Sequence, residues 1–389
     1  MNAANQMEAL QTAMAQTQTQ LSTGKQFQSA AGNPVGMSEV MQLNTQLSAS
    51  QQYVANGTLA TTGLNLETRA LMDATNALQS ARSLIVEGNN GALNATQRQA
   101  IATQLTQLQQ QLISIGNRQD GQGNYLFSGY ASGTQPFAQN GTSVTYQGAN
   151  EVHQVQLSAD QSISTGDTGS AVFMNIPAGN GTFTTAAAAG NTGSASLGST
   201  TLSNPSAWVA GNYTITFGTG STYQITNSTG TPVASGTYSP DAGGAFSISF
   251  NGAQLSFSGT PAVNDQFTVD SAGTASVFST LASAIGALNS LNLNAAQVTT
   301  QLNGALQQVD GALNNFNQVS ASVGARLNAV SAASNTAQST QTSLQTTISQ
   351  ISDTNYAAAT TQLSTEELAL QAAQASYASM MQLTLFKYL

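Results

Sequence analysis

The chain holds one histidine and no cysteine, so the residues that most often carry nucleophilic, redox or metal chemistry are almost missing. His153 lies in the alternating stretch EVHQVQ, with no second histidine to complete a metal ligand set and no Ser–His–Asp grouping around it. It reads as a surface or half-buried strand residue. Glu366 and Glu367 are adjacent, and on a helix they point about 100° apart, so they do not form an acid–base pair. Following Ser364 and Thr365, they read as a solvated face or as first-turn partners of a helix dipole. The glycine strings GDTGS (166–170) and FGTGS (217–221) lack the GxxxxGK[ST] pattern of a phosphate loop and are turn chemistry. No run matches an EF-hand loop. The Asn-x-Ser/Thr triplets at Asn94, Asn212 and Asn227 are what chance supplies in a chain rich in Asn and Thr. No catalytic, cofactor or metal site emerges, and the chain is expected not to be an enzyme.

Two segments stand out without a catalytic meaning. One is RQDGQGNYLFSGY (118–130), with Tyr125, Leu126 and Phe127 together. The other is the tail MQLTLFKYL (381–389), with Leu383, Leu385, Phe386, Tyr388 and Leu389. An apolar cluster near a chain end is either docked or a partner site, because an exposed patch is otherwise a liability. The plainer alternative is a closing core turn.

The elements around these segments follow from periodicity. Met7, Leu10, Met14, Thr17 and Leu21 alternate in steps of three and four, the seam of a narrow helix–helix contact. Gly24 stops that helix, and AGNPVG (31–36) is a loop. Leu64, Leu71, Leu78 and Ile85 recur every seven residues, GNNG (88–91) turns, and Ile101, Leu105, Leu108, Leu112 and Ile115 resume the seam. In the C-terminal half one register runs from Leu302 through Val309, Phe316, Val323, Val330, Leu344 and Ile348 to Ile351, with Asn294 placed to cap its start. Leu370 and Tyr377 lie on the helical stretch beyond it. Between about 130 and 273 the period becomes two. SVTYQ, EVHQVQLS, NYTITFG, TYQITN, AFSISF, AQLSFSG and DQFTVD read as antiparallel strands, separated by turns such as the Asn-Gly pairs at 140–141 and 251–252.

Hydrophobic residues make up 40% of the 389 residues but charged residues only 6%, against roughly 25% in an ordinary soluble domain. Net charge is −9, with seven basic residues and none between Arg118 and Arg326. That leaves no basic footprint for phosphates, so nucleic acid is excluded and anionic membrane surfaces are disfavoured. The opening residues have neither a basic start nor an apolar run, so a Sec signal is not expected there and any export takes another route.

The expected fold is therefore α+β and multidomain. Both chain ends form a long antiparallel helical coiled-coil body, and antiparallel all-β domains are inserted in the middle. The expected segments are an N-terminal helical half (1–129), a β-hairpin region (130–177), an outer all-β domain (178–272) and a C-terminal helical half (273–389). A Gly/Ala/Ser/Thr-rich linker is expected over 178–200.

Several motifs also carry a family resemblance. LSTGK (21–25) with AGNPVG resembles a segment shared by flagellins and flagellar hook-associated proteins. RQDGQGNYLFSGY, GARLNAV (324–330), SDTNYAAATTQLSTEELALQAAQASY (352–377) and LTLFKYL (383–389) resemble the hook-associated protein 3 family of the hook–filament junction. The resemblance covers both ends, about two-thirds of the chain. It departs at Gly32-Asn33, where the family has an acidic pair before proline. Relatives also have a further stretch ahead of the position matching Met1.

The resemblance implies a secreted, extracellular structural subunit at the hook–filament junction, exported unfolded by the flagellar type III apparatus. It implies both termini in a coiled coil and β domains facing outward. The implied partners are hook-associated protein 1, flagellin, the filament cap, a flagellar export chaperone and copies of the chain itself. No cofactor is implied. Two alternatives stay open: a flagellin, or a flagellar scaffold carrying an adhesive β domain with Trp208, Tyr213, Tyr223 and Tyr238 as its aromatic candidates.

Overall fold

The computed structural model describes residues 2–385, with side chains from 4 to 380. The chain forms two compact units that cut across the four expected segments. One contains residues 1–57, 156–161 and 331–389; the other contains 58–155 and 162–330. The reason is helix length. Helix α1 is Asn2–Thr23, α2 Pro34–Gly88, α3 Ala95–Gly116, α4 Val277–Asn289, α5 Ala295–Ser352 and α6 Tyr356–Leu385. Both α2 and α5 contribute to each unit, so residues distant in sequence fold together.

In the first unit α1 packs on α6. The end of α1 lies beside the start of α6 through a bridge between Lys25 and Asp353, so the two run antiparallel. On α2 and α5, Ser50 Oγ donates to Ala337 O at 2.9 Å. The α5–α6 break has a clear local cause: Asn355 caps α6 by accepting from the Ala358 N–H, at 3.2 Å. Glu366 and Glu367 consequently sit in the interior of α6, not in a first turn, and Gln362 Nε2 donates to Glu366 Oε1 at 2.9 Å.

In the second unit the heptad residues Leu64, Leu71, Leu78 and Ile85 are fully buried, as are Leu302, Val309, Phe316 and Val323 on α5. Asn89 Nδ2 meets Asn303 Oδ1 at 2.8 Å, and Arg82 meets Asp310, so α2 and α5 run in opposite directions. Asn294 and Gln297 form a reciprocal cap at the start of α5, each backbone N–H donating to the other's side chain at 2.9 Å. Helix α4 has the same device in Ser276 and Ser279, and it packs on α3. Asn94 likewise caps α3 with Gln97, which gives this Asn a structural role.

Five aromatic side chains tie these helices to the adjoining loops. Phe173, on a short π-helical turn (Ser170–Met174), lies 5.2 Å from Phe127, 5.5 Å from Phe137, 6.0 Å from Phe278 and 5.4 Å from Phe316, centroid to centroid. All five are fully buried.

The strands begin with two hairpins, β1 (Phe137–Asn140) with β2 (Ser143–Tyr146), and β3 (Gln154–Gln156) with β4 (Ser162–Ser164). A two-residue ladder of β5 (Ile176–Pro177) and β14 (Thr274–Ala275) then brings the two ends of the insert side by side. The insert contains β6 (Phe183–Ala187), β7 (Ser196–Leu202), β8 (Asn212–Phe217), β9 (Thr222–Asn227), β10 (Pro232–Thr237), β11 (Ala245–Phe250), β12 (Ala253–Ser258) and β13 (Gln266–Ser271). They form a five-stranded sheet, β10-β9-β8-β13-β6, and a three-stranded sheet, β11-β12-β7, antiparallel throughout. Both sheets contribute to one core, in which Phe217 touches Phe257 and Phe267 at 5.7 and 5.9 Å.

The expected linker at 178–200 is a correction. It supplies β6 and much of β7, which pair with β13 and β12. Its Ala, Ser and Thr give no apolar alternation, yet Phe183, Ala195 and Leu197 are buried because small neighbours suffice to close the sandwich. The insert also docks on α5 through amides and hydroxyls. The Leu197 N–H donates to Thr300 Oγ1, Asn303 Nδ2 to Leu197 O, and Gln297 Nε2 to Ala188 O, at 2.9–3.0 Å. Trp208 stacks on Phe183 at 5.0 Å and meets Tyr213 edge-on at 6.0 Å. With Tyr223 and Tyr238 it packs against the insert's core, which does not form an exposed aromatic platform.

Candidate functional site

The paired termini are the first candidate. Leu10, Met14 and Leu21 on α1 are half-buried, and so is Leu370 on α6. Tyr377 is exposed, as are Leu368 (67%) and Met380 (57%). On α5, Leu344, Ile348 and Ile351 are half-buried. The α1–α6 pair thus leaves apolar surface uncovered, which in water is a liability unless a partner covers it. Leu383 and Leu385 belong to α6 by backbone, but their side chains lie outside the described residues, and Phe386, Tyr388 and Leu389 lie wholly outside them.

LSTGK and SDTNY, far apart in sequence, close on one another. Gln26 N–H donates to Ser352 O at 2.7 Å and Thr354 N–H to Gly24 O at 2.9 Å. Lys25 Nζ donates to Ser352 Oγ at 3.1 Å and pairs with the Asp353 carboxylate. Gly24 has φ +68°, so glycine is needed there for the turn. Neither motif announces the pairing in sequence; the only hint is that Lys25 is one of seven basic residues.

The Lys25 hydrogen bond, with another from Ser349, holds the Asp353 carboxyl down at about 2. A depressed carboxylate stabilises the folded form above its unfolded pKa of about 3.9, and that contribution is lost as pH falls through the folded value. The clasp is therefore expected to loosen between about pH 4 and 2. Amide shifts of Gln26 and Thr354 should titrate over that range, and Lys25→Ala should raise the midpoint. A midpoint unchanged in the variant would show that Lys25 does not hold this carboxylate.

The 118–130 segment is the second candidate. Asp120 Oδ1 accepts the N–H groups of Gln122 and Asn124 at 2.8 and 2.9 Å. Leu126 N–H donates to Arg118 O at 2.9 Å and Tyr125 N–H to Ser132 O at 2.8 Å. Tyr125 and Leu126 are half-buried and line an open cleft of about 500 Å³ with Leu59, Leu66, Val152 and His153. Exposed Tyr130 lies 4.3 Å from the His153 ring. Phe127 requires a correction. Expected among the partner-binding residues, it is instead fully buried in the aromatic cluster and has no surface to offer.

Among the described residues no group of three His, Asp or Glu side chains is placed to hold a metal, and no helix is long and apolar enough to cross a membrane.

Residues 1–132 match the bacterial flagellin N-terminal helical region, and 306–389 match the bacterial flagellin C-terminal helical region. Residues 186–271 match a D2-like domain of flagellar hook-associated protein 1. Flagellar hook-associated protein 3 of Escherichia coli K12 is 34% identical over 157 residues, 40% of this chain and 49% of that protein. The chain thus spans about half the length of the curated relatives it matches. The crystal structure of flagellar hook-associated protein 3 from Legionella pneumophila is 29% identical with a TM-score of 0.74, covering 80% of this chain and 98% of that one. Xanthomonas campestris FlgL is 32% identical with a TM-score of 0.72, covering 79% of this chain. Because 99% of that FlgL chain is covered at this identity, the protein belongs to the FlgL family of flagellar hook-associated proteins.

Proposed function

We propose that this chain is a structural subunit of the bacterial flagellum that joins hook to filament, and that it is not an enzyme. The observation that carries this reading is the α1–α6 pair, whose apolar side chains remain partly uncovered in one chain. Further helices covering them would give the burial that the isolated pair lacks, and in a FlgL-family protein those helices belong to copies of itself and to neighbouring flagellar subunits. The proposed neighbours are hook-associated protein 1 on the cell side and flagellin or the filament cap on the far side. An export chaperone takes the C-terminal helices before secretion through the flagellar type III apparatus, and the mature subunit sits outside the cell. Residues 178–272 are the outer domain, a reading supported by the D2-like match over 186–271.

The proposed assembly residues are Leu10, Met14 and Leu21 on α1, Leu344, Ile348 and Ile351 on α5, Leu370 and Tyr377 on α6, and Leu383, Leu385, Phe386, Tyr388 and Leu389 in the tail. Tyr125 and Leu126 are proposed as a separate contact. Burying one such side chain is worth about 1.5–3 kcal/mol, and a carboxylate in its place reverses the sign. Phe386→Asp is therefore expected to abolish incorporation while leaving the subunit's melting temperature unchanged. The check is immunogold labelling of flagella beside melting of the purified variant. Label along the whole filament, or normal attachment of Phe386→Asp filaments, would overturn the proposal.

A further inference from the structure

Three ionisable side chains meet inside the second unit. Glu67, on α2, is 2% exposed. Its Oε1 accepts the backbone N–H of Asp167 at 3.2 Å, while its Oε2 is buried and has no donor. Asp167 lies on the loop between β4 and the π-helical turn, and its carboxylate is held by Arg326 Nη2 of α5. Arg326 Nη1 donates to Gly166 O at 3.2 Å. The charged groups facing Glu67 are thus Asp167 from the loop and Arg326 from α5; Asp120 and His153 line the cleft that Gly166 and Asp167 border.

Two ionised carboxylates against one guanidinium would leave an unbalanced negative charge shielded from water, which burial makes unfavourable. A pair of carboxyl groups in this position relieves it by holding one proton between them. Asp167 keeps the charge, since it has the guanidinium and is the more exposed of the two. Glu67 has only one backbone N–H for its two oxygens, and its orphaned Oε2 becomes a donor once protonated. Burial first, and then the charge on Asp167, push the Glu67 carboxyl well above the ordinary range.

We infer that Glu67 is a neutral carboxylic acid in the folded subunit, and that the proton it shares with Asp167 latches the 165–169 loop to α2 and, through Arg326, to α5. That loop is a junction. Gly169 N–H donates to Phe127 O at 2.8 Å, and Thr165 N–H donates to His153 O at 2.9 Å. Loss of the proton puts a second charge at the site, and water from the bordering cleft is its nearest solvation. Raising the pH through the folded value therefore frees the loop. The sign follows from a raised folded value. The latch contributes fully below the unfolded Glu pKa of about 4.3, and its contribution is lost as pH rises through the folded value.

The test is carboxyl-carbon NMR of the full chain with labelled glutamate, beside proton release on unfolding in the wild type and in Glu67→Gln. The expected Glu67 signal remains at the protonated position at about pH 6, where exposed glutamates have ionised. Unfolding of the wild type at that pH releases one more proton than unfolding of Glu67→Gln. Asp167→Asn should bring the Glu67 titration down toward the ordinary range. A Glu67 signal that titrates with the exposed glutamates overturns the latch, as does equal proton release or an Asp167→Asn titration unchanged from wild type. Should Glu67→Gln fail to fold, the titration in the unaltered protein decides the question.

Discussion

Phe173→Ala is expected to lower stability by about 3–5 kcal/mol, the range for emptying a fully buried aromatic site. Phe173 is fully enclosed and meets rings from four other elements: the 118–130 segment, β1, α4 and α5. Those rings come from both halves of the sequence, so the cavity cannot close by moving one helix alone. Phe173→Leu, which keeps much of the volume, should lose less than half as much. Denaturant unfolding followed by helical circular dichroism measures both. A loss below about 1 kcal/mol for Phe173→Ala would show that the cluster does not hold the helical halves together.

Gly129→Ala is expected to cost at least about 2 kcal/mol, through backbone strain and a clash that has no flexible partner to relieve it. Gly129 has φ +60°, and a Cβ there would lie 2.5 Å from Ala149 O and closer still to Glu151 O. Both carbonyls belong to backbone pinned nearby, since Tyr130 N–H donates to Glu151 O and Ala149 N–H to Ser128 O. Gly123, in the same segment, supplies the control. It has φ +87°, and a Cβ there would meet no heavy atom within 4 Å, so its alanine variant should lose only the conformational part, about 1 kcal/mol. Chemical denaturation of the two variants side by side is the measurement. Equal losses would show that the crowding at Gly129 is relieved at no cost, and the YLFSG glycine would need another explanation.

These two cases locate the boundary between what was legible and what was not. Seam residues were legible because a helix repeats every 3.6 residues: Leu64, Leu71, Leu78, Ile85, Leu302, Val309, Phe316 and Val323 follow that repeat and all are buried. The strands NYTITF, AFSISF and AQLSFS were legible from alternation, and the Asn251-Gly252 turn from the positive φ both residues adopt. The helix cap at Asn294 was legible because it depends on a neighbour three residues away; the cap at Asn94 is just as local, but in sequence it reads only as a chance triplet.

Strands β6 and β7 were hidden because Ala, Ser, Thr and Gly have no pattern of their own. They become strands only where β13 and β12 offer open edges. Phe127 looked like a partner residue because apolarity in sequence does not say which side of a surface a side chain will occupy. The Lys25–Asp353 clasp and the Glu67–Asp167–Arg326 cluster join residues about one hundred to over three hundred positions apart. By itself the sequence determined the helices, the more apolar half of the strands, the absence of a basic footprint and the family likeness, since each rests on composition or on spacing within a few residues. Tertiary structure alone decided which charges meet, which glycine is crowded and which aromatic is enclosed, because those depend on contacts that exist only once distant segments are brought together.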